Sequence, residues 1–245
     1  MFFGISSKDE LTQKARAQSA EAPEAYRAIV ELYYIARYFV AVFEARNHAI
    51  PIQVWNEYRN ALDHFMRHLT KSGTPPEAEQ EEAAESSNQL RQMKGHVQRA
   101  VLDILKISCH ETDKWFQEKL ECDGSAVLAL VSNGEFLAQL YKLHTEAQSL
   151  FEQAKAEDSA LGAGAQQNKE IVGRFIDAVF AYEALRETYL ANEEHIAKAR
   201  NQHASISSIG KTQSFKDAIL ANLTASVIWA VAAAAFGAVL TYFTL

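Results

Sequence analysis

Residues 23 to 46 read PEAYRAIVELYYIARYFVAVFEAR. Tyr26, Ile29, Val30, Tyr33, Tyr34, Tyr38 and Val42 recur at i, i+3 and i+4, the spacing that lines up one face of an α-helix. Pro23 suits the first turn, where its missing N–H has no intrahelical partner to lose. Nothing in the stretch alternates with the two-residue period of a strand. Read this way, the segment is a long amphipathic helix, and its neighbours repeat the pattern.

Ser7 to Ala20, before it, is polar and reads as a short helix. After it, Asn47 to Pro51 is a break and Pro51 opens the next helix. There Val54, Trp55, Tyr58, Leu62, Phe65 and Leu69 are expected to form one apolar, core-facing stripe. Lys71 to Pro76 ends that helix, and Glu77 to Glu85 reads as an acidic, solvated loop. A long helix is expected from about Ser87 to Glu121, with Leu90, Met93, Val97, Val101, Ile104 and Trp115 or Phe116 inward. Cys122 to Ser125 stops it, and Ala126 to Val131 is a short apolar piece. Ser132-Asn133-Gly134 is a plausible cap for a helix running to about Glu157. Phe136, Leu140, Leu143, Ala147, Leu150 and Phe151 point inward from it. Leu161 to Ala165 is a turn. A last helix begins near Asn168 and keeps its rhythm through Val172, Phe175, Val179, Tyr182, Leu185, Tyr189 and Ile196. Four or five long helices with short connections imply an all-α, antiparallel bundle.

Ala218 to Leu245 carries no charged side chain. A helix crossing the hydrocarbon core needs about 20 apolar residues, and Ala225 to Leu245 supplies them with only Ser226, Thr241 and Thr244 as polar interruptions. The expected organisation is therefore a bundle over residues 1–203, a linker over 204–216 and a transmembrane helix over 217–245. Lys198, Arg200, Lys211 and Lys216 precede the span, so the positive-inside rule puts the bundle in the cytosol. The residues after Phe2 and Phe3 are too polar for a signal-peptide core, which makes the expected topology tail-anchored. Within the span, Ala230, Ala234 and Ala238 recur every four residues, and Ala233 stands four before Gly237. Small residues at that spacing permit close helix packing, so a homodimer or higher oligomer is expected beside the lipid bilayer as a partner.

The net charge of −7 argues against broad coating of nucleic acid, which needs a basic face, but leaves room for a small RNA site. The two cysteines, Cys109 and Cys122, are expected as reduced thiols in a cytosolic domain. No phosphate loop, HExxH or nucleophile elbow occurs, and no metal or cofactor is expected. His144 and His195 read as surface residues.

The middle helices carry polar stripes. His96, Arg99, Asp103, Lys106 and His110 share one face of the long helix, and Arg59, Asn60, Asp63, His64 and Arg67 crowd the helix before it. One reading is a solvated surface laced with ion pairs such as Arg59–Asp63 and Asp103 with Arg99 or Lys106. The other starts from Arg59-Asn60-Ala61-Leu62-Asp63-His64. An Arg, a polar residue and a His a little over one turn on resembles the signature of the HEPN superfamily, all-helical bundles that include metal-independent ribonucleases. That resemblance implies His64 as general base, Arg59 as phosphate clamp and Asn60 as orienting group, with RNA as substrate and two chains completing one site. A similar pattern recurs at Arg91-Gln92 to His96. Arg59 and His64 stand five apart, about 140° around a helix, so they would need a second chain or a bend to converge. The stretches Asn56 to His64 and Gly95 to Asp103 also resemble those of uncharacterised bacterial helical proteins with a carboxy-terminal membrane segment. This implies a protein of the bacterial inner membrane, a stress or defence effector or sensor. The alternative expectation is non-enzymatic: an interaction or oligomerisation module whose transmembrane helix perturbs or scaffolds at the membrane, or a scaffold whose polar stripes bind a protein partner's helix.

Overall fold

The computed structural model describes residues 5, 7–71, 79–161 and 169–207. Within them the chain is helical and contains no strand. Helix α1 is Lys8–Ala20, α2 Glu24–Asn47, α3 Ile52–Lys71 and α4 Glu79–Asp123. A single turn, α5 (Ser125–Leu128), and a 3-10 turn over Val131–Gly134 lead into α6 (Glu135–Leu161) and α7 (Lys169–Ala191). A further helix, α8, covers residues 193–207.

The 45-residue α4 is the spine, about 65 Å long at 1.5 Å per residue. Ion pairs and aromatic contacts fix the directions around it. Glu57 meets His96 and His68 meets Ser86, so α3 runs antiparallel along the amino-terminal half of α4. Asp113 meets His144 and Lys106 meets Asp158, so α6 runs antiparallel along the other half. Tyr182 meets Asp113 and Tyr189 meets Asp123, so α7 runs parallel to α4. The core between α2, α4, α6 and α7 is apolar: Phe39, Ile104, Leu105, Phe116, Leu140, Phe175 and Leu185 are buried in it. Ala147 and Ala154 follow Leu140 at seven-residue steps and are buried completely, which lets α6 and α7 approach closely. Lys8 ties α1 to Asp177 at 2.6 Å. It reaches that carboxylate past Gly173, where an added Cβ would sit 3.2 Å from its Nζ.

Several boundaries differ from the sequence reading. From Glu79 on, the acidic stretch expected as a loop is the first part of α4, because Glu, Gln and Ala are strong helix formers even without an apolar rhythm. The last long helix breaks at Asn192, whose side chain bonds the Thr188 carbonyl, and α8 restarts beyond it. The linker expected from Ala204 is helical as far as residue 207. The expected cap at Ser132-Asn133-Gly134 takes three successive left-handed conformations, φ 49°, 53° and 92°, and turns the chain into α6.

The largest correction concerns α3. Its expected inward stripe is split across two faces. Val54, Ala61 and His68 are buried at seven-residue steps, whereas Trp55, Leu62 and Leu69 lie exposed on the outside. Among the described residues no helix is long and apolar enough to cross a membrane. The expected span and its small-residue positions Ala230, Ala233, Ala234, Gly237 and Ala238 lie outside the described residues.

Candidate functional site

The face where α3 lies on α4 holds most of the polar residues singled out from the sequence. Glu57 on α3 accepts from Arg99 Nε at 2.9 Å and lies 2.7 Å from His96 Nδ1. Arg99 Nη2 also approaches that ring nitrogen, at 2.6 Å. Nδ1 can donate to Glu57 or accept from Arg99, not both at once, so the tautomer selects which contact is a hydrogen bond. The His64 ring stacks on His96 with centroids 5.1 Å apart and planes 20° apart. Its Nδ1 lies 2.7 Å from the Gln89 side-chain oxygen and donates to it. One turn on, His68 is buried between Tyr26 of α2 and Ser86 of α4. The Tyr26 hydroxyl donates to Nε2 at 2.7 Å, and Nδ1 donates to the Ser86 carbonyl at 3.1 Å. The three histidines of this seam therefore pin helices together.

Three residues of the polar stripe on α4, His96, Arg99 and Lys106, brace neighbouring helices, while His110 is exposed. Arg99 pairs with Glu57 of α3, and Lys106 pairs with Asp158 of α6 at 2.6 Å while lying 5.2 Å from the Phe175 ring centroid. Asp103 sits between these pairs. Burial, and then the nearby Glu57, raise its carboxyl above the usual range, against the opposing pull of Lys106 and Arg99. A carboxyl whose folded value is raised binds its proton more readily folded than unfolded, so its charged form costs stability as pH rises above the unfolded value. Asp103→Asn is therefore expected to raise the melting temperature at pH 7. The gain should shrink as the pH falls through the carboxylate range, read from thermal melts across that range.

The other candidates do not converge. Arg59 is exposed on the outer side of α3, while His64 is turned toward α4. Asn60 is half-buried between them. The expected Arg59–Asp63 pair is replaced by Asp63–Arg67 at 2.8 Å. Tyr58, on the inner side, has a buried hydroxyl with no hydrogen-bond partner among the described residues, and burial raises its phenol. Removing an unsatisfied buried hydroxyl is favourable or neutral. Tyr58→Phe is therefore expected to leave stability unchanged or raise it by up to about 1 kcal/mol, measured by chemical denaturation.

Three polar clusters were not anticipated from the sequence. Arg46 of α2 and Glu183 of α7 form a bidentate, mostly buried pair. Beside it Arg186 lies 4.7 Å from the Trp115 ring centroid, and a cavity of about 340 Å³ opens between α2, α4 and α7. His144, expected at the surface, donates from Nε2 to Asp113 at 2.6 Å and packs on Phe116. Asp123, at the end of α4, is buried and accepts from Tyr189 and Arg200. The available signal was Tyr182 and Tyr189 at core positions, since buried phenols require partners. Cys109 is a buried thiol whose pKa burial pushes up, and Cys122 is exposed. Among the described residues no group of three or more His, Cys, Asp or Glu side chains is placed to hold a metal ion.

In the α3–α4 seam Glu57, His96 and Arg99 are partnered across the two helices, whereas Asp63 pairs with Arg67 within α3. What stands out on the surface is apolar: Ile52, Trp55, Leu62, Met66 and Leu69 along the outside of α3. No protein-family model, no characterised protein and no solved structure matches this chain.

Proposed function

We propose that the protein is a membrane-tethered interaction module without catalytic chemistry of its own. The helical bundle faces the cytosol of a bacterial cell, and the apolar residues 217–245 hold it at the inner membrane. The outer face of α3 meets a protein partner there, in the setting of a stress or defence response. The observation that carries this reading is the apolar exterior of α3, five large side chains on the outside of a helix whose other side is fully engaged. A helix face of this kind recognises another helix.

The ribonuclease reading needs Arg59 and His64 on one phosphate. Helix α3 sends them to different sides, and His64 is committed to Gln89 and His96. A second chain would have to supply the guanidinium.

Membrane flotation of the full chain against a chain ending at residue 207 tests the tether. The full chain should float with lipid and the shortened one should not; equal flotation would refute the tether. Mapping of total RNA ends after induction, for the full chain and for His64→Ala, tests the chemistry. The interaction reading expects no ends that depend on His64. New cyclic-phosphate ends lost in His64→Ala would replace it with the ribonuclease.

A further inference from the structure

The exposed face of α3 has a regular internal spacing. Ile52, Trp55, Arg59, Leu62, Met66 and Leu69 are separated by 3, 4, 3, 4 and 3 residues, the a/d rhythm of a helix that packs along a second helix. All six positions are exposed, the five apolar ones between 47% and 62%. The series 3-4-3-4-3 also reads the same in both directions. A second copy of the helix laid antiparallel therefore meets apolar with apolar at both ends, Ile52 opposite Leu69 and Trp55 opposite Met66, and places Arg59 opposite Leu62 at the centre. Reciprocal pairing of this kind defines a twofold interface, in which one patch serves both copies.

The charges fit the same arrangement. Arg59 sits next to the centre of the seam and has no ion pair among the described residues. In an antiparallel pair it lies against Leu62 of the second copy, with that copy's Asp63 one residue further along. The aliphatic stem of Arg59 can cover the leucine while its guanidinium joins Arg67 of the second copy at that carboxylate, and the twofold axis makes the contact twice. A polar residue within an apolar seam fixes register. Beside the seam, an apolar hollow of about 410 Å³ bordered by Tyr33, Ile50, Trp55 and Leu62 gives the opposing side chains a place to insert.

The size is sufficient. Half-exposed side chains of this bulk offer roughly 100 Å² each. Six positions on two copies then bury on the order of 1,200 Å², where specific association begins.

We infer that α3 is a homodimerisation helix, pairing antiparallel with α3 of a second copy about a twofold axis near Arg59 and Leu62. The inference rests on the interaction-module reading above and names the partner of that same face.

The test uses the full chain in bacterial membranes, with the photo-crosslinking residue benzoylphenylalanine in place of Leu62. Irradiation is expected to give a product at twice the 27.3 kDa chain mass. Adding Met66→Asp, an exposed position that leaves the core untouched, should cut its yield at least tenfold. A product of another mass would overturn self-pairing while leaving the interaction module standing. The absence of any product would overturn both. Direction is read in a Cys122→Ser background with a short bis-maleimide. Leu62→Cys should join two copies. Ile52→Cys should not, because the two residues 52 lie about 26 Å apart along an antiparallel pair. Efficient joining through residue 52 would overturn the antiparallel arrangement.

Discussion

Glu183→Ala is expected to destabilise the bundle by about 3–5 kcal/mol, whereas Arg46→Met combined with Glu183→Leu should recover most of that loss. Arg46 and Glu183 join α2 to α7 through two parallel hydrogen bonds, and both side chains are more than four-fifths buried. Little solvent screens the pair. Removing the carboxylate takes from a buried guanidinium its bidentate partner, and the cost is that of desolvation left uncompensated. Removing both charges takes the cost away together with the attraction, and apolar side chains of similar volume pack between Phe39, Phe43 and Phe180. Chemical denaturation of both single variants and the double variant closes the cycle. Additive losses would mean that the two side chains contribute independently, contrary to the geometry.

Asp123→Ala is expected to cost about 2–4 kcal/mol and to loosen α8 selectively. The Asp123 side chain is fully buried, and it accepts from the Tyr189 hydroxyl and from Arg200 Nε, the latter at 2.6 Å. Its loss leaves the Tyr189 hydroxyl buried without its acceptor and frees Arg200, which is half exposed, to turn into water. The larger share of the cost therefore lies at Tyr189. Ile196 and Ala199 still hold α8 against the bundle by apolar contact alone. Hydrogen exchange should rise across residues 193–207 while the amides of α4 around Leu105 stay protected. Uniform loss of protection over both would show that Asp123 supports the whole bundle rather than the docking of its last helix. In sequence, α8 precedes the proposed tether, residues 217–245.

How much of this was legible varies by helix, for physical reasons. In α6 and α7 the apolar rhythm is unambiguous, and Phe136, Leu140, Ala147, Phe175 and Tyr182 are buried as their spacing implies. In α2 only Ile29 and Val42 of the expected stripe are buried and Tyr33 is exposed; Leu32, Ile35, Ala36, Phe39 and Phe43 take the core, because apolar residues surround most of that helix. Helix α3 misled because its apolar residues cover too wide an arc. Val54 and Trp55 are adjacent and cannot both face the core. The deciding side is the one that carries Glu57, His64 and His68, which looks like solvent-facing chemistry until α4 supplies His96, Arg99, Gln89 and Ser86 as partners. Burial of a polar face depends on what lies opposite, which a local pattern does not contain. The break at Asn192 was hidden because neither glycine nor proline marks it. Of the polar stripe, Arg99 and Lys106 were correctly placed on one face, but as struts to α3 and α6. Arg46, Asp123 and Glu183 gave no local signal at all, since each is an isolated charge whose partner lies 66 or more residues away.

The outer face of α3 is the proposed place of this protein's working contact. Radical footprinting of the full chain in its membrane measures it directly, by the oxidation rates of Met66 and Trp55 against the same residues in a Leu62→Glu variant. Met66 and Trp55 are expected to be strongly protected in the unmodified chain and to lose that protection in Leu62→Glu, with Trp115, on the other half of α4, unchanged between the two. Equal and rapid oxidation of Met66 and Trp55 in both would contradict it, because the face would then stand open to water while the protein is in place.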